Sequence, residues 1–144
     1  MKSILIFVLI LIALGQCVDD GDWVDPFSLP IDFLAHPYYA GYLNISSTQA
    51  YYYNYFPSEG NPNQDPLIVR VSAGPGCSSL YSAFYSKGPF TFVKGTKSFR
   101  VNPFNWNKNA NLLFIEGPGE VGFSKGIDRP YNDETVAQIY YLAL

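Results

Sequence analysis

Residues 111–116, Asn-Leu-Leu-Phe-Ile-Glu, constrain the fold of this chain more than any other stretch. A strand points successive side chains to opposite faces. An almost continuous apolar run therefore reads as a strand buried on both faces, with layers packed above and below the sheet. The flanking sequence supplies those layers. Residues 49–56, Gln-Ala-Tyr-Tyr-Tyr-Asn-Tyr-Phe, are aromatic and suit a pleated surface, and residues 38–45 are the expected hairpin partner. Residues 67–71, Leu-Ile-Val-Arg-Val, form a short β-branched run that ends at Ala73-Gly74-Pro75-Gly76. Between them, residues 57–66 carry Gly60, Asn61 and Pro62 and read as a polar loop.

Helices are expected after the strands. Residues 78–86 fit a helix stopped by Gly88-Pro89, and a further loop holds Asn102-Pro103 and Trp106. At the end of the chain, Asn132 offers a cap and Asp133 an acid in the first turn. Val136, Ile139, Tyr140 and Ala143 then recur at helical spacing, so residues 132–144 predict an amphipathic helix. The fold class is α/β. Three or four strands followed by an unfinished helix leave an apolar sheet edge without a neighbour, which predicts the first part of a larger domain.

The N-terminus belongs to a different category. Lys2 precedes an apolar run from Ile4 to Leu14, with Ala13, Gly15 and Cys17 after or within its end. A membrane span needs roughly 20 apolar residues, so no stable span is expected here. Residues 1–17 instead read as a secretory signal peptide. Residues 18–37 are acidic and carry Pro26, Pro30 and Pro37, an extended lead-in to the domain at 38–144. Asn44-Ile45-Ser46 is a glycosylation sequon, which has meaning only for a chain in the secretory pathway.

Composition excludes several function classes. A net charge of -3 with no run of like charges gives no basic patch for nucleic acid. With one histidine, His36, and two cysteines outside any CxxC pair, no metal site is expected, and no motif calls for a cofactor. Cleavage after Cys17 would leave Cys77 alone, either awaiting a partner or as a buried reduced thiol.

Residues 122–126 spell Gly-Phe-Ser-Lys-Gly, a match to the G-x-S-x-G pattern of hydrolase nucleophiles. The context disagrees. A nucleophile elbow joins a strand directly to a helix, yet a Gly- and Pro-containing loop separates Glu116 from Ser124, and Pro130 follows soon after. His36 lies upstream, the wrong order for this fold. Ser124 is not expected to be a nucleophile.

Two longer segments carry a resemblance to the serine carboxypeptidases, an α/β-hydrolase family. Residues 73–80, Ala-Gly-Pro-Gly-Cys-Ser-Ser-Leu, are similar to the family's W-L-N-G-G-P-G-C-S-S. Residues 102–124, Asn-Pro-Phe-Asn-Trp-Asn through Gly-Phe-Ser, are similar to N-P-x-S-W-N-x-x-A-N-x-L-F-I-E-S-P-A-G-V-G-F-S-Y. The resemblance implies an incomplete α/β-hydrolase fold, made of the N-terminal strands of the central sheet plus a terminal helix. It implies that the backbone amide of Gly74 is an oxyanion-hole donor. It also implies that Ser72, Ala73, Gly74 and Ser86 line the site for the C-terminus of a peptide substrate, and that Cys77 pairs with a cysteine beyond residue 144. In the family the nucleophile sits in a later G-E-S-Y-A-G motif, so the catalytic Ser, Asp and His are expected beyond Leu144, and this chain alone is expected to be inactive.

Departures from the pattern qualify the substrate. Ser72 stands where the family has an asparagine that binds the substrate carboxylate, and Ser86 where many members have a glutamate. Arg70 replaces a tryptophan, Ala73 a glycine, and Gly117, Gly119 and Glu120 alter a nearby loop. Serine reaches less far than asparagine and offers fewer donors. The alternatives are an acyltransferase-type or non-catalytic paralogue, or a small secreted carbohydrate-binding module suggested by 12 Tyr and 2 Trp. The resemblance places the protein outside the cell or in a lysosome or vacuole.

Overall fold

The computed structural model describes residues 20–24, 38–71, 76–126 and 132–144. The expected signal peptide, His36, Ser72, Ala73 and Gly74 lie outside the described residues. Within them the α/β expectation holds. A 3-10 turn, Asp20–Asp22, leads into β1, Trp23–Val24. β2, Tyr38–Asn44, and β3, Ala50–Phe56, form the hairpin that the aromatic pattern predicts. β4, Leu67–Val71, is followed by a single turn of helix α1, Leu80–Ser82, which widens into a π-turn segment, Ala83–Lys87. β5, Phe90–Phe92, and β6, Phe99–Val101, pair with each other as a separate two-stranded sheet. β7, Asn111–Ile115, and α2, Asp133–Ala143, complete the described elements.

The main sheet has the order β1-β2-β3-β7-β4. β7 inserts between β3, to which it is antiparallel, and β4, to which it is parallel. All five residues of β7 are buried, as the apolar run Leu112–Ile115 requires, and the polar Asn111 is buried with it. Leu112 and Phe114 face one layer with Tyr38, Phe56, Ala83 and Phe90, while Leu113 and Ile115 face the other with Leu43, Tyr51, Tyr53 and Ala143. The first layer is aromatic: the Phe56 ring meets Tyr38 at 5.2 Å, and Phe90 and Phe114 each at 5.8 Å. Burial, with a smaller contribution from Tyr52, pushes the Tyr38 phenol up to about 12.

The apolar face foreseen for α2 is the one it uses, because Ile139, Tyr140 and Ala143 pack on the second layer. Its N-terminus is closed by a capping box in which Asn132 Oδ1 accepts from Thr135 N at 2.8 Å and Thr135 Oγ1 accepts from Asn132 N at 3.2 Å. At the opposite edge, β4 has only β7 as a neighbour among the described residues, and Leu67, Val69 and Val71 stand exposed. This is the bare apolar edge that the sequence implies.

Two elements differ from expectation. The stretch expected to be a helix over 78–86 holds only one α-turn before the π segment, which carries the chain to Gly88. An added Cβ at Gly88 would run into the Ala83 carbonyl oxygen, so the exit depends on a residue without a side chain. Ahead of the expected loop with Asn102-Pro103 and Trp106, residues 90–101 form a hairpin that the sequence reading does not foresee. Its tip closes through Val93 N to Ser98 O at 3.0 Å and Thr96 N to Val93 O at 3.1 Å, and it is held down by fully buried Phe90.

Candidate functional site

Because β4 and β7 are parallel with Val71 opposite Ile115, the segments leaving them emerge at the same edge of the sheet. Ligands of open α/β sheets bind at such carboxyl ends. Among the described residues, 76–79 follow β4 and 116–126 follow β7. They are tied together by one side-chain contact: the Ser78 hydroxyl donates to Oε1 of Glu116. Glu116 is fully buried, and its Oε2 accepts from the Phe123 amide at 2.8 Å. One carboxyl group thus brackets the turn after β4 and the loop after β7. Ser78 Oγ also accepts from Leu80 N at 3.2 Å, which fixes the start of α1.

A second bracket comes from Asn102. Its side-chain amide donates to Ser86 O at 3.0 Å and Gly88 O at 2.9 Å, and its main-chain amide donates to Pro89 O at 2.9 Å. Trp106 adds a main-chain bond to Lys87 O at 2.9 Å and lies under the Lys87 ammonium, 4.4 Å from the ring centroid. The half-buried Ser86 is therefore held from behind by the segment that begins at Asn102. The two long segments singled out in the sequence form one assembly in space.

Cys77, just before Ser78, is exposed and unpaired among the described residues. Asn44 is exposed at the end of β2, on the far side of β3 from β7. A hollow between Ile68, Arg70, Lys87, Trp106, Leu112 and Phe114 has a volume of about 10 Å³, no more than a water-sized gap. It holds no substrate. Arg70 turns back along the chain, donating to the Val71 carbonyl. No cluster of histidine, cysteine and acidic side chains suited to a metal is found among the described residues.

Ser124 behaves as a strut. It is buried at 7 % exposure, its hydroxyl donates to Glu116 O at 2.8 Å, and it accepts from Tyr52 N at 2.8 Å. Both bonds clamp β3 to the end of β7, beside a main-chain bond from Glu116 N to Tyr52 O at 2.9 Å. The proton that a nucleophile would surrender is committed to a backbone carbonyl. The preceding turns, Val121 N to Pro118 O and Ser124 N to Val121 O, are loop, residues 124–126 are not helical, and among the described residues the next helix starts at Asp133. A strand-serine-helix elbow is absent here.

Sequence reasoning passed over the side chains that set this geometry. In the sequence Glu116 and Asn102 read only as letters of a pattern, and Asn111 only as the start of an apolar run. The available signal was a polar residue bordering a run that must be buried, since such a group is expected to be fully hydrogen-bonded.

Comparison with known proteins follows the same lines. A family model described as serine carboxypeptidase matches residues 30–144. The lysosomal protective protein of Mus musculus is 39% identical over 108 residues, which is 74% of this chain and 23% of that protein. Serine carboxypeptidase-like 32 of Arabidopsis thaliana is 46% identical over 90 residues, 60% of this chain and 19% of the relative. A vacuolar serine-type carboxypeptidase of Saccharomyces cerevisiae is 33% identical over 121 residues, 84% of this chain and 23% of the relative. The chain thus spans less than a quarter of the length of these relatives. The crystal structure of a prohormone-processing carboxypeptidase from Saccharomyces cerevisiae superposes with a TM-score of 0.71 at 24% identity, covering 87% of this chain and 31% of that one. That likeness places the fold in the α/β-hydrolase class.

Proposed function

The chain belongs to the serine carboxypeptidase family, and we propose that it forms the N-terminal part of a serine-type carboxypeptidase that releases C-terminal residues from peptides through an acyl-enzyme. The observation that carries this reading is the meeting of the two family-like segments at the carboxyl ends of β4 and β7, where the Ser78 hydroxyl donates to Glu116. In this reading the amide of Gly74 donates to the oxyanion of the tetrahedral intermediate. One such donor is worth roughly 3–4 kcal/mol of barrier. By the same reading Ser72, Ala73, Gly74 and Ser86 line the site for the substrate's terminal residue.

The nucleophile, acid and base are contributed by sequence that these residues do not include. The bare edge of β4, with Leu67, Val69 and Val71 exposed, is where further sheet and helix would join. Cys77 then pairs with a cysteine of that remaining part. Residues 1–17 direct the chain into the secretory pathway, residues 18–37 lead into the domain, and the names of the relatives favour a lysosomal or vacuolar destination.

Ser72 and Ser86 favour a second reading, an acyltransferase-type or non-catalytic relative with weakened grip on a free carboxylate. One experiment separates the two. Residues 38–144 replace the matching segment of the yeast vacuolar serine-type carboxypeptidase, and peptide hydrolysis is followed. The chimera should turn over peptides with a free C-terminus, and Ser72→Asn should lower KM about tenfold with little change in kcat, the effect of one restored hydrogen bond to a carboxylate. A folded chimera that stays inactive with both Ser72→Asn and Ser86→Glu would exclude the carboxypeptidase reading.

A further inference from the structure

The aromatic rings beside the sequon make none of the contacts described for the site above, although the backbone amides of Tyr52 and Phe123 do. Asn44, the last residue of β2, is exposed, and so is Ser46 in the turn that follows. That turn is closed by Ile45 N and Ser46 N donating to Gln49 O at 3.0 and 3.1 Å. Tyr42 and Asn44 are two residues apart on one strand, so both side chains leave the same face, separated by about 6–7 Å along β2. Across the hairpin, Asn44 faces Ala50 and Tyr42 faces Tyr52. The small Ala50 leaves room beside Asn44, whereas Tyr42 and Tyr52 meet edge to face at 5.5 Å. Phe123, 61 % exposed, extends the same aromatic surface by packing on Tyr52 at 5.2 Å.

An exposed ring adjoining an open amide is a platform for a sugar. The Tyr42 ring is at present covered by the Lys125 ammonium, 4.2 Å from its centroid. A cation on an exposed ring is worth roughly 0.5–1 kcal/mol, so the C–H face of a pyranose can take its place. We propose that Asn44 carries an N-linked glycan whose first N-acetylglucosamine lies on the ring of Tyr42. The donor is an oligosaccharide linked through pyrophosphate to a polyprenyl lipid. The Asn44 amide nitrogen forms the new bond to C1 of the first sugar and loses one proton. The bond from C1 to the pyrophosphate oxygen breaks, and the lipid pyrophosphate leaves with the electron pair. The Ser46 hydroxyl supplies the second recognition element of the sequon. The proposal rests on entry into the secretory pathway, which the leader at residues 1–17 would provide.

Asn44-Ile45-Ser46 is the chain's only Asn-x-Ser/Thr sequence, so any N-glycan reports on this residue alone. The test is expression of the chain in insect cells behind its own leader and, in parallel, behind the leader of an unrelated secreted protein. Each product is then treated with a peptide N-glycosidase. A mobility shift from both, abolished by Asn44→Gln and by Ser46→Ala, is the expected result. A shift only behind the foreign leader supports the site and removes the secretory reading of residues 1–17. No shift behind either leader overturns the site. For the platform, Tyr42→Phe should keep the glycosylated fraction unchanged and Tyr42→Ala should lower it at least about twofold; equal fractions in the two variants would overturn the role of the ring.

Discussion

Replacing Gly122 with alanine should destabilise the fold by about 2–4 kcal/mol, the sum of a left-handed backbone penalty and an overlap that dislodges a buried carboxyl group. Gly122 sits at φ +56°, a region where a Cβ crowds the following carbonyl. The space is also taken: a Cβ there would overlap the carboxyl group of Glu116. Relieving that overlap means pulling Glu116 from the Phe123 amide and the Ser78 hydroxyl, which separates the loops after β4 and β7. The two contributions are separable. In a Glu116→Ala background the overlap is gone, and Gly122→Ala should cost only the backbone penalty of about 1 kcal/mol. Urea unfolding of the chimera and its single and double variants measures both. Equal costs in the two backgrounds would mean that the carboxyl group does not set the size of the effect.

Asn111→Ala should cost a similar amount, about 2–3 kcal/mol, for a different reason: it removes four hydrogen bonds, one buried and three partly buried, each worth up to about 1 kcal/mol. The Asn111 side chain is 5 % exposed. Its oxygen accepts from the Tyr55 hydroxyl and Ser58 N at 3.0 Å, and its nitrogen donates to the carbonyls of Pro62 and Asp65 at 3.0 Å. One side chain thereby clamps the whole 57–66 loop against the start of β7. Within the loop, Asp65 Oδ2 accepts from the Ser58 hydroxyl at 2.5 Å and from Asn61 N at 2.8 Å. That inner set should survive in part, so the loss is expected to be local. Hydrogen exchange should accelerate most at the amides of residues 57–66, while those of β2 keep their protection. Uniform acceleration across the sheet would show that Asn111 supports the core rather than the loop.

The contrast between these residues explains what the sequence reveals. β7 was legible because four successive apolar residues, Leu112–Ile115, have only one environment open to them. The β2–β3 hairpin and α2 were legible for similar reasons: an aromatic run, a helical period and a cap each determine local structure. The resemblance of residues 73–80 and 102–124 to one family was legible as pattern, and it indicated the fold and the decoy nature of Ser124. The clamps were not. Asn102, Asn111 and Glu116 are polar letters that look like surface, and their burial depends on partners more than a dozen residues away, such as Ser86, Ser58 and Ser78. The β5–β6 hairpin was missed although Phe90-Thr-Phe92 and Phe99-Arg-Val101 flank a Lys94-Gly95-Thr96 turn. Each strand has only three residues, too few for alternation to stand out.

The central claim is that Ser124 braces the sheet while the chemistry belongs to the loop after β4 and to a nucleophile outside these residues. It is tested most directly in the active chimera, whose turnover certifies that residues 38–144 are folded. The chimera is treated with a fluorophosphonate and the adduct is mapped by mass spectrometry, and Ser124→Ala is assayed beside it. The account predicts an adduct on the serine contributed by the relative and none on Ser124. It also predicts a kcat unchanged within about twofold for Ser124→Ala, with a stability loss of about 1–3 kcal/mol from the orphaned Tyr52 amide and Glu116 carbonyl. A phosphonylated Ser124, or loss of turnover by about a thousandfold or more in a folded Ser124→Ala chimera, the scale of a missing nucleophile, would contradict it.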